Sequence, residues 1–226
     1  MKLVVATNNP YKVEEIDAIL RSLPSSEANG QNYEILSLRD FPNAPVVAED
    51  GNTFEENAVK KATTIAKHTR LLTLADDSGL EVDALNGEPG VKSARFAGEN
   101  ATDEDRNRKL LNLLKDVPEF NRTARFKCAM ALSKPQGDTD VVLGVCEGII
   151  AFEPKGDTGF GYDPIFIVPR YGKTFAELGP AIKNRISHRA IALQKIKKLL
   201  QSQKPSLSPK PGFCFSQSNG IRHQKE

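Results

Sequence analysis

Two adjacent carboxylates, Asp76 and Asp77, follow an apolar stretch in the sequence LTLADDSGL. Two negative charges repel each other, so their placement side by side needs a chemical explanation. Oxygen-only clusters of this kind suit Mg²⁺, and adjacent acids can also divide metal binding from general-base work. Asp, Ser and Gly are equally common in turns, so DDSG is also typical of a solvated turn after a strand that ends at Asp76. The choice between these interpretations depends on the rest of the chain.

The sequence TNNPYK begins with Thr7 and is typical of a phosphate-binding helix start. Pro10 suits the first position of a helix, where its missing N–H costs nothing. Free N–H groups there, the helix dipole and Lys12 would together attract a phosphate group. An Asn-Pro pair that opens a helix is also an ordinary cap.

The sequence GDTGFGYDP, residues 156–164, places two aromatic side chains between glycines. It lacks the order of residues that defines a P-loop. Phe160 and Tyr162, next to Asp163, could instead stack on a nucleobase, because aromatic faces stack on every base. The alternative is a hairpin whose aromatic rings belong to the core, which is the usual place for them.

The sequence KNRISHRA places four basic or titratable groups, Lys183, Arg185, His188 and Arg189, around Ser187, which is a plausible N-cap. Positive charge conflicts with the dipole at the start of a helix, so a negative group is expected close by. A solvated basic patch is the alternative. Taken together, the acidic pair, the cations at two helix starts and the aromatic loop match a nucleoside triphosphate held through Mg²⁺.

Regular elements that could position these groups alternate along the chain. An apolar strand leads into the first predicted helix, and Thr53 with Glu56 forms a capping-box pattern for the second helix. The remaining predicted elements are a strand ending at Asp76, a helix capped by Thr102 and Asp105, strands over 124–132, 141–152 and 165–168, and a final helix over 187–200. This order predicts a mixed α/β domain over residues 1–200, with a cleft between two lobes. Residues 201–226 are rich in Ser, Pro, Lys and Gln and are predicted to be a disordered tail.

The composition of the chain limits the kinds of partner that the protein could bind. The chain has 226 residues, and a formal net charge of +2 is too small to indicate a nucleic-acid-binding protein. Three cysteines without C-x-x-C spacing indicate neither a disulfide framework nor a zinc site, which favours the cytoplasm. The N-terminal apolar run is too short for a signal peptide, and no segment approaches the length of a membrane span, so no membrane partner is expected.

The ordered motifs T-N-N-P-x-K, T-F-E-E-N-A, A-D-D-S-G-L, P-G-x-x-S-A-R-F, G-F-G-Y-D-P-I-F and I-S-H-R resemble those of the inosine triphosphate pyrophosphatase family. The resemblance runs from Lys2 to about Leu200. It implies a two-lobed α/β fold with a long central mixed β-sheet flanked by helices, and usually a homodimer. It also implies Mg²⁺-dependent hydrolysis of ITP, dITP and XTP, which are non-standard purine nucleoside triphosphates, to the monophosphate and pyrophosphate.

The resemblance also assigns roles to individual residues. Asp77 would be the general base and a metal ligand, and Ser78 would contact the substrate. The triphosphate would be held by Thr7, Asn8, Asn9, Pro10, Tyr11 and Lys12, the nucleoside by Phe160, Gly161, Tyr162 and Asp163, and the base and phosphates would be covered by Lys183, His188 and Arg189.

Two departures from the family pattern concern the phosphate loop and the metal. Tyr11 stands where the family often has glycine. The acidic pair common before G-x-T-F is replaced by Ala48-Glu49, followed by Asp50, and Glu49 is the predicted second metal ligand. Two competing functions remain at this point: a hydrolase that releases the γ-phosphate, and a non-catalytic nucleotide-binding module.

Overall fold

The computed structural model describes residues 2–22 and 33–202, so Leu23 of the first predicted helix and residues 203–226 of the predicted tail lie outside the described residues. The first two residues of that predicted tail, Gln201 and Ser202, belong instead to the last helix. The helices are α1 Pro10–Ser22, α2 Phe54–Thr69, α3 Asp103–Leu113, α4 Phe175–Ile186 and α5 His188–Ser202. The strands are β1 Lys2–Val5, β2 Glu34–Ser37, β3 Leu72–Val82, β4 Thr123–Ser133, β5 Thr139–Ile150, β6 Phe166–Val168 and β7 Lys173–Thr174.

All seven strands belong to one mixed sheet in the order β2-β1-β3-β4-β5-β6-β7. The strand β1 is parallel to both β2 and β3, and every other neighbouring pair is antiparallel. Helices cover both faces. The predicted α/β fold with a long central mixed sheet is therefore confirmed.

Strand β3 does not end at Asp76, and the interpretation of DDSG as a turn is wrong. The strand continues to Val82 because β4 pairs with it along its length, with Asp76 opposite Met130 and Asp77 opposite Ala129. Successive side chains of a strand point to opposite faces of the sheet. The two carboxylates therefore lie on opposite faces of the sheet.

The core divides into two lobes along the long strands. One lobe packs α1 and α5 on one face and α2 on the other, and Leu74 belongs to its core. The other lobe packs α3, α4 and the short strands against residues further along β3, including Leu80. Asp76 and Asp77 therefore lie where β3 passes from one core to the other.

Helix caps match the sequence patterns closely, with one correction. Thr102 and Asp105 form the full capping box of α3. Thr53 caps α2 through the N–H of Glu56, but the Glu56 carboxylate accepts from the N–H of Asn52, so the box is only half formed. In the described part of the chain no helix is long and apolar enough to cross a membrane.

Candidate active site

Asp76 is fully enclosed on the face of the sheet that carries α1 and α5. Its Oδ2 lies 2.9 Å from Nζ of Lys12 and 3.2 Å from a terminal nitrogen of Arg189, and it also accepts from the Ser78 hydroxyl at 3.2 Å. Burial alone would raise the pKa of Asp76, but the cations Lys12, Arg189 and Lys61 hold that pKa well below its usual range. Asp76 is therefore a counter-ion that the surrounding protein cations keep ionised.

Asp77 occupies a different environment on the opposite face, beside α2. Its Oδ2 accepts from the side-chain amide of Asn57 at 2.9 Å, while its Oδ1 lies 3.6 Å from Nζ of Lys61. Burial raises the pKa of Asp77, and Lys61 and Lys12 oppose that rise only in part. The side chain also lines the cleft between the lobes. Asp77 is therefore a buried carboxylate at the cleft whose charge is only partly neutralised by protein cations.

Helix α2 brings two polar side chains to Asp77 from its otherwise apolar face. Asn57 and Lys61 are four residues apart, so they lie one above the other on the helix. Lys61 also contacts Oε1 of Glu49 at 2.5 Å, and the side-chain oxygen of Asn57 accepts from the N–H of Gly51. The motif T-F-E-E-N-A thus fixes the loop that carries Glu49 against the strand that carries Asp77.

Arg189, in the first turn of α5, has the negative partner that the helix-dipole argument requires, whereas Lys183 lies in the last turn of α4, where the dipole favours a cation. Glu15 of α1 pairs with Lys183 at 2.7 Å and with a terminal nitrogen of Arg189. Lys183 also contacts Asp163 at 2.5 Å. Burial would raise the pKa of Glu15, but the two cations lower it. The interpretation as a solvated patch fits only Arg185, which is exposed to solvent.

Ser187 caps α5, as predicted, by accepting from the N–H of Ala190. His188 follows it and is buried, with its ring stacked on Phe126 at a centroid distance of 4.7 Å. Burial lowers the pKa of His188, and the positive charges of Arg189 and Lys183 lower it further. The imidazole is therefore neutral.

The aromatic loop divides its two rings between the site and the core. Tyr162 is buried, and its hydroxyl donates to the carbonyl of Ser93 at 2.9 Å, as the core interpretation requires. Phe160 is only partly buried and lies beneath Nζ of Lys183 at 4.4 Å from the ring centroid. Both rings line the cleft, but Phe160 is the one that could be stacked upon from solvent.

The start of α1 is an ordinary cap. Oδ1 of Asn9 accepts from the N–H groups of Tyr11 and Lys12, at 3.0 and 3.4 Å. The expectation that these N–H groups are free is therefore wrong for the described structure. The ammonium group of Lys12 still lines the cleft.

Close backbone packing places two elements of the site. A Cβ on Gly79 would lie 2.4 Å from Oγ of Ser93, so only glycine lets the segment P-G-V-K-S approach β3 beside Ser78. A Cβ on Gly144 would lie 2.0 Å from the carbonyl oxygen of His188, so glycine also lets the first turn of α5 lie directly on β5. Both contacts hold side chains of the cleft in place.

Most of the predicted site residues come together in one cleft. It is lined by Asn9, Lys12, Glu49, Asp77, Ser78, Phe160, Gly161, Tyr162, Asp163, Lys183, His188 and Arg189, while Thr7, Asn8, Pro10 and Tyr11 are not among its lining residues. Its volume is about 150 Å³. A larger cavity of about 870 Å³ lies against α3, but neither Asp77 nor Lys12 lines it, so we do not assign the chemistry to it.

Three polar residues that contact the charged groups of the site, Glu15, Asn57 and Lys61, were not predicted from the sequence. None belongs to a recognisable turn or loop. The sequence did, however, contain a pattern that could have indicated Asn57 and Lys61 of α2. They interrupt the apolar face formed by Ala58, Ala62 and Ile65, and a polar side chain on a buried helix face requires a partner.

The fold and the cleft define a member of a known class of nucleotide hydrolases. The sequence profile of the Ham1 family matches residues 3–199, and the chain belongs to the Ham1 family. The dITP/XTP pyrophosphatase of Desulforamulus reducens is 52% identical over 200 residues, which cover 88% of this chain and 96% of that protein. That of Geobacter sulfurreducens is 53% identical over 196 residues, covering 87% and 94%.

Solved structures agree with these sequence relatives. The Ham1 protein of Coxiella burnetii superposes with a TM-score of 0.78 and is 43% identical, covering 89% of this chain and 98% of that one. The nucleoside-triphosphatase, or dITP/XTP pyrophosphatase, of Mycobacterium abscessus gives a TM-score of 0.69 at 43% identity, covering 88% and 99%. The similarity therefore extends over both lobes.

Proposed function

We propose that this protein hydrolyses ITP, dITP and XTP to the nucleoside monophosphate and pyrophosphate, which removes these nucleotides before they enter DNA or RNA. The observation that carries the proposal is Asp77, a buried carboxylate that lines the cleft and is only partly neutralised. The names of the Desulforamulus and Geobacter relatives support the choice of substrates.

Asp77 acts as the general base. Its Oδ1 receives the proton of a water molecule that attacks the α-phosphorus, and the bond from that phosphorus to the bridging oxygen of pyrophosphate breaks. A raised pKa makes the carboxylate a better proton acceptor than an ordinary aspartate. Asn57 holds the other carboxylate oxygen and so fixes the orientation of the group.

Asp77 and Glu49 are the residues that would hold Mg²⁺. Among the described residues no group of three or more His, Cys, Asp or Glu side chains could hold a metal ion. Mg²⁺ is, however, commonly bound through one or two carboxylates together with substrate phosphates and water. Both carboxylates approach the ammonium of Lys61, so they already face one position of positive charge. When bound there, the ion would stabilise negative charge on the phosphates.

Lys12 stabilises the negative charge of the departing pyrophosphate. Its ammonium lies in the cleft and is held by Asp76 on the opposite side of the sheet from Asp77. A fixed cation stabilises developing charge with little reorganisation, which is the usual protein contribution to phosphoryl transfer.

Selection of the base rests on buried hydrogen-bond donors. Nε of Arg189 is buried without a hydrogen-bond partner in the described structure. Hypoxanthine and xanthine carry an acceptor at C6, whereas adenine carries a donor there. A buried donor that stays unpaired with the wrong base can reject that base strongly.

The volume of the cleft bears on how the substrate binds. Ligand sites typically enclose about 300 to 1,000 Å³, and the cleft holds about 150 Å³. Part of a nucleoside triphosphate therefore lies outside this volume, or the walls separate when it binds.

Product analysis tests the proposal. Incubation with ITP and Mg²⁺ should release pyrophosphate, and orthophosphate should appear only after an inorganic pyrophosphatase is added. ITP and XTP should be turned over faster than ATP by orders of magnitude, because selection rests on hydrogen-bond groups. EDTA should stop the reaction.

Other outcomes identify the competing functions. Orthophosphate without the added enzyme would indicate a γ-phosphatase, and tight ITP binding without any product would indicate a nucleotide-binding module. Equal rates with ATP would contradict the argument from base recognition.

We further propose that the protein acts in the cytoplasm as a homodimer. The nucleotide pool is a soluble substrate there, and the family resemblance supports the dimer. Analytical ultracentrifugation should give a mass of twice the 24.8 kDa chain, and a monomer would contradict the proposal.

A further inference from the structure

Tyr11 and Phe160 form an aromatic pair between the two lobes, beside the cleft. Tyr11 belongs to the first turn of α1, and Phe160 to the aromatic loop of the other lobe. Their ring centroids are 5.5 Å apart and their planes differ by 16°, which is a stacked arrangement. Tyr11 is 56% exposed, so the contact with Phe160 is not a by-product of burial in the core.

The backbone of Phe160 is fixed, but its ring has little local support. The N–H of Phe160 donates to Asp163, and Gly161 is held through its N–H by Asp103 and through its carbonyl by Asn107. Both chain neighbours of Phe160 are glycines with positive φ, 81° at Gly159 and 65° at Gly161. Neither supplies a side chain that could restrict rotation of the ring.

The contacts that orient the Phe160 ring come from other elements. Nζ of Lys183 lies 4.4 Å from the ring centroid, and the guanidinium carbon of Arg189 lies 5.9 Å from it. Phe160, Lys183 and Arg189 line the cleft, whereas Tyr11 does not. Tyr11 therefore contacts the Phe160 ring outside the volume in which the base would be held.

From this arrangement we propose that Tyr11 is a positioning residue for nucleobase binding. Its ring holds Phe160 in the orientation that stacks on the purine, so Tyr11 acts on the base through Phe160. This inference rests on the proposed function, and it names the side chain that maintains the base-stacking surface of the cleft.

The size of the effect follows from the strength of an aromatic pair. Such a pair contributes about 0.5 to 1.5 kcal/mol beyond the area it buries, which corresponds to a change of about 2- to 12-fold in an equilibrium constant. Removal of the Tyr11 ring should therefore raise KM for XTP about 2- to 12-fold. The value of kcat should stay within about 2-fold, because Tyr11 touches neither Asp77 nor the cleft.

A double-mutant cycle tests whether Tyr11 acts through Phe160. The variants are Tyr11→Ala, Phe160→Ala and the pair together, with KM for XTP measured for each. Interacting residues give non-additive effects. Tyr11→Ala should raise KM in the wild-type background and should have no further effect once Phe160 is alanine. An equal increase in both backgrounds would mean that Tyr11 contacts the nucleotide directly, and it would overturn the proposal.

Two further measurements separate a positioning role from a general structural one. Tyr11→Phe keeps the ring and should restore the wild-type KM, while Tyr171→Ala removes a partly exposed tyrosine elsewhere and should leave KM unchanged. Inhibition by pyrophosphate, which has no base, should be the same in wild type and Tyr11→Ala. A matching loss of pyrophosphate inhibition would place the effect in the phosphate loop and overturn the proposal.

Binding measurements keep this inference separate from the proposed reaction. In the Asp77→Asn background, the same cycle is run on the Kd for ITP by titration calorimetry. If wild type releases no pyrophosphate but the binding cycle is non-additive, the proposed reaction fails and the role of Tyr11 stands. If wild type releases pyrophosphate normally but the binding effects are additive, the proposed reaction stands and the role of Tyr11 fails. Absence of ITP binding would overturn both.

Discussion

The two faces of β3 treat neighbouring aspartates in opposite ways. On one face Asp76 is closed in by Lys12 and Arg189, and its pKa is lowered despite burial. On the other face Asp77 accepts hydrogen bonds from the side-chain amide of Asn57 and the N–H of Ser78 and lies 3.6 Å from the ammonium of Lys61, and its pKa is raised. One carboxylate holds cations in place, and the other remains available to a proton or a metal ion.

This difference corrects the explanation that the sequence invites. Two adjacent aspartates in the sequence suggest two carboxylates that bind the same metal ion. The pleat of the strand separates them instead, and the protein itself neutralises Asp76. Asp77 and Glu49 both approach the ammonium of Lys61, and they are the two carboxylates that we propose to hold Mg²⁺.

Replacement of the reactive carboxylate should have the largest effect. Asp77→Asn keeps the shape of the side chain but removes its charge, so kcat should fall by about 100-fold or more, the typical cost of losing a general base. Steady-state kinetics with ITP measures this, and circular dichroism checks that the fold is intact. A variant that keeps more than about a tenth of kcat would exclude Asp77 as the base.

Replacement of the enclosed carboxylate should act mainly on stability. Asp76→Asn leaves Lys12 and Arg189 without their shared counter-ion, and breaking a buried ion pair costs about 3 to 5 kcal/mol. Urea unfolding should show a loss of free energy of this order. The control is Asp138→Asn, an exposed carboxylate 3.9 Å from Lys134, which should change stability by less than about 1 kcal/mol. Similar losses in both variants would contradict the difference in environment.

Gly144→Ala should disturb the Asp76 face alone. The added methyl group would meet the backbone of His188 and Ala192, which cannot move without shifting α5. Overpacking of this kind costs about 1 to 3 kcal/mol. Chemical denaturation measures it, with Val141→Ala at an exposed position of the same strand as the control. An unchanged unfolding free energy would show that α5 can yield at this contact.

The smallest expected effect is a pH dependence from His188, which lies on the same face. The pKa of His188 is lowered in the folded state, while in the unfolded state it is near 6.5. Below pH 6.5 the unfolded chain binds a proton that the native protein does not, so stability falls as the pH falls. The groups that act on the imidazole are Arg189, Lys183, Asp76 and Lys12.

A matched variant isolates this contribution. His188→Phe keeps a ring against Phe126 but cannot titrate. Between pH 7.5 and 5.5, wild type should lose about 1.4 kcal/mol more unfolding free energy than the variant. Equal losses, measured by urea unfolding at both pH values, would show that His188 is protonated in the native state.

Local sequence signals predicted most of the helices but not the length of β3. The caps at Thr53 and Thr102 depend on nearby residues, so they could be recognised in the sequence. The continuation of β3 through Ser78 and Gly79 depends on pairing with β4, which outweighs the turn preference of those residues. Helix α4 was missed because Gly179 interrupts it with non-helical backbone immediately before a proline.

The cationic half of the site was more predictable than its acidic half. Lys183 and Arg189 both stand close to the predicted N-cap Ser187, so the cluster attracts notice in the sequence. In the structure Arg189 lies in the first turn of α5, where its charge conflicts with the dipole, whereas Lys183 lies in the last turn of α4, where a cation is favoured. Glu15 lies in the middle of α1 and has no such local context. Its role becomes visible only when α1 and α5 are packed together.

The assignment of the two aspartates depends on whether a residue number in β3 is odd or even. Within this strand even positions lie on the face of Asp76 and odd positions on the face of Asp77, and ten consecutive pairs with β4 hold that alternation. Insertion of a single residue just before Asp76 would exchange the faces if the strand shifted to accommodate it, and Asp77 would then be surrounded by cations. Insertion of two residues would leave each aspartate on its present face of the sheet. The strand should therefore tolerate changes in its side chains far better than any change in its length by one.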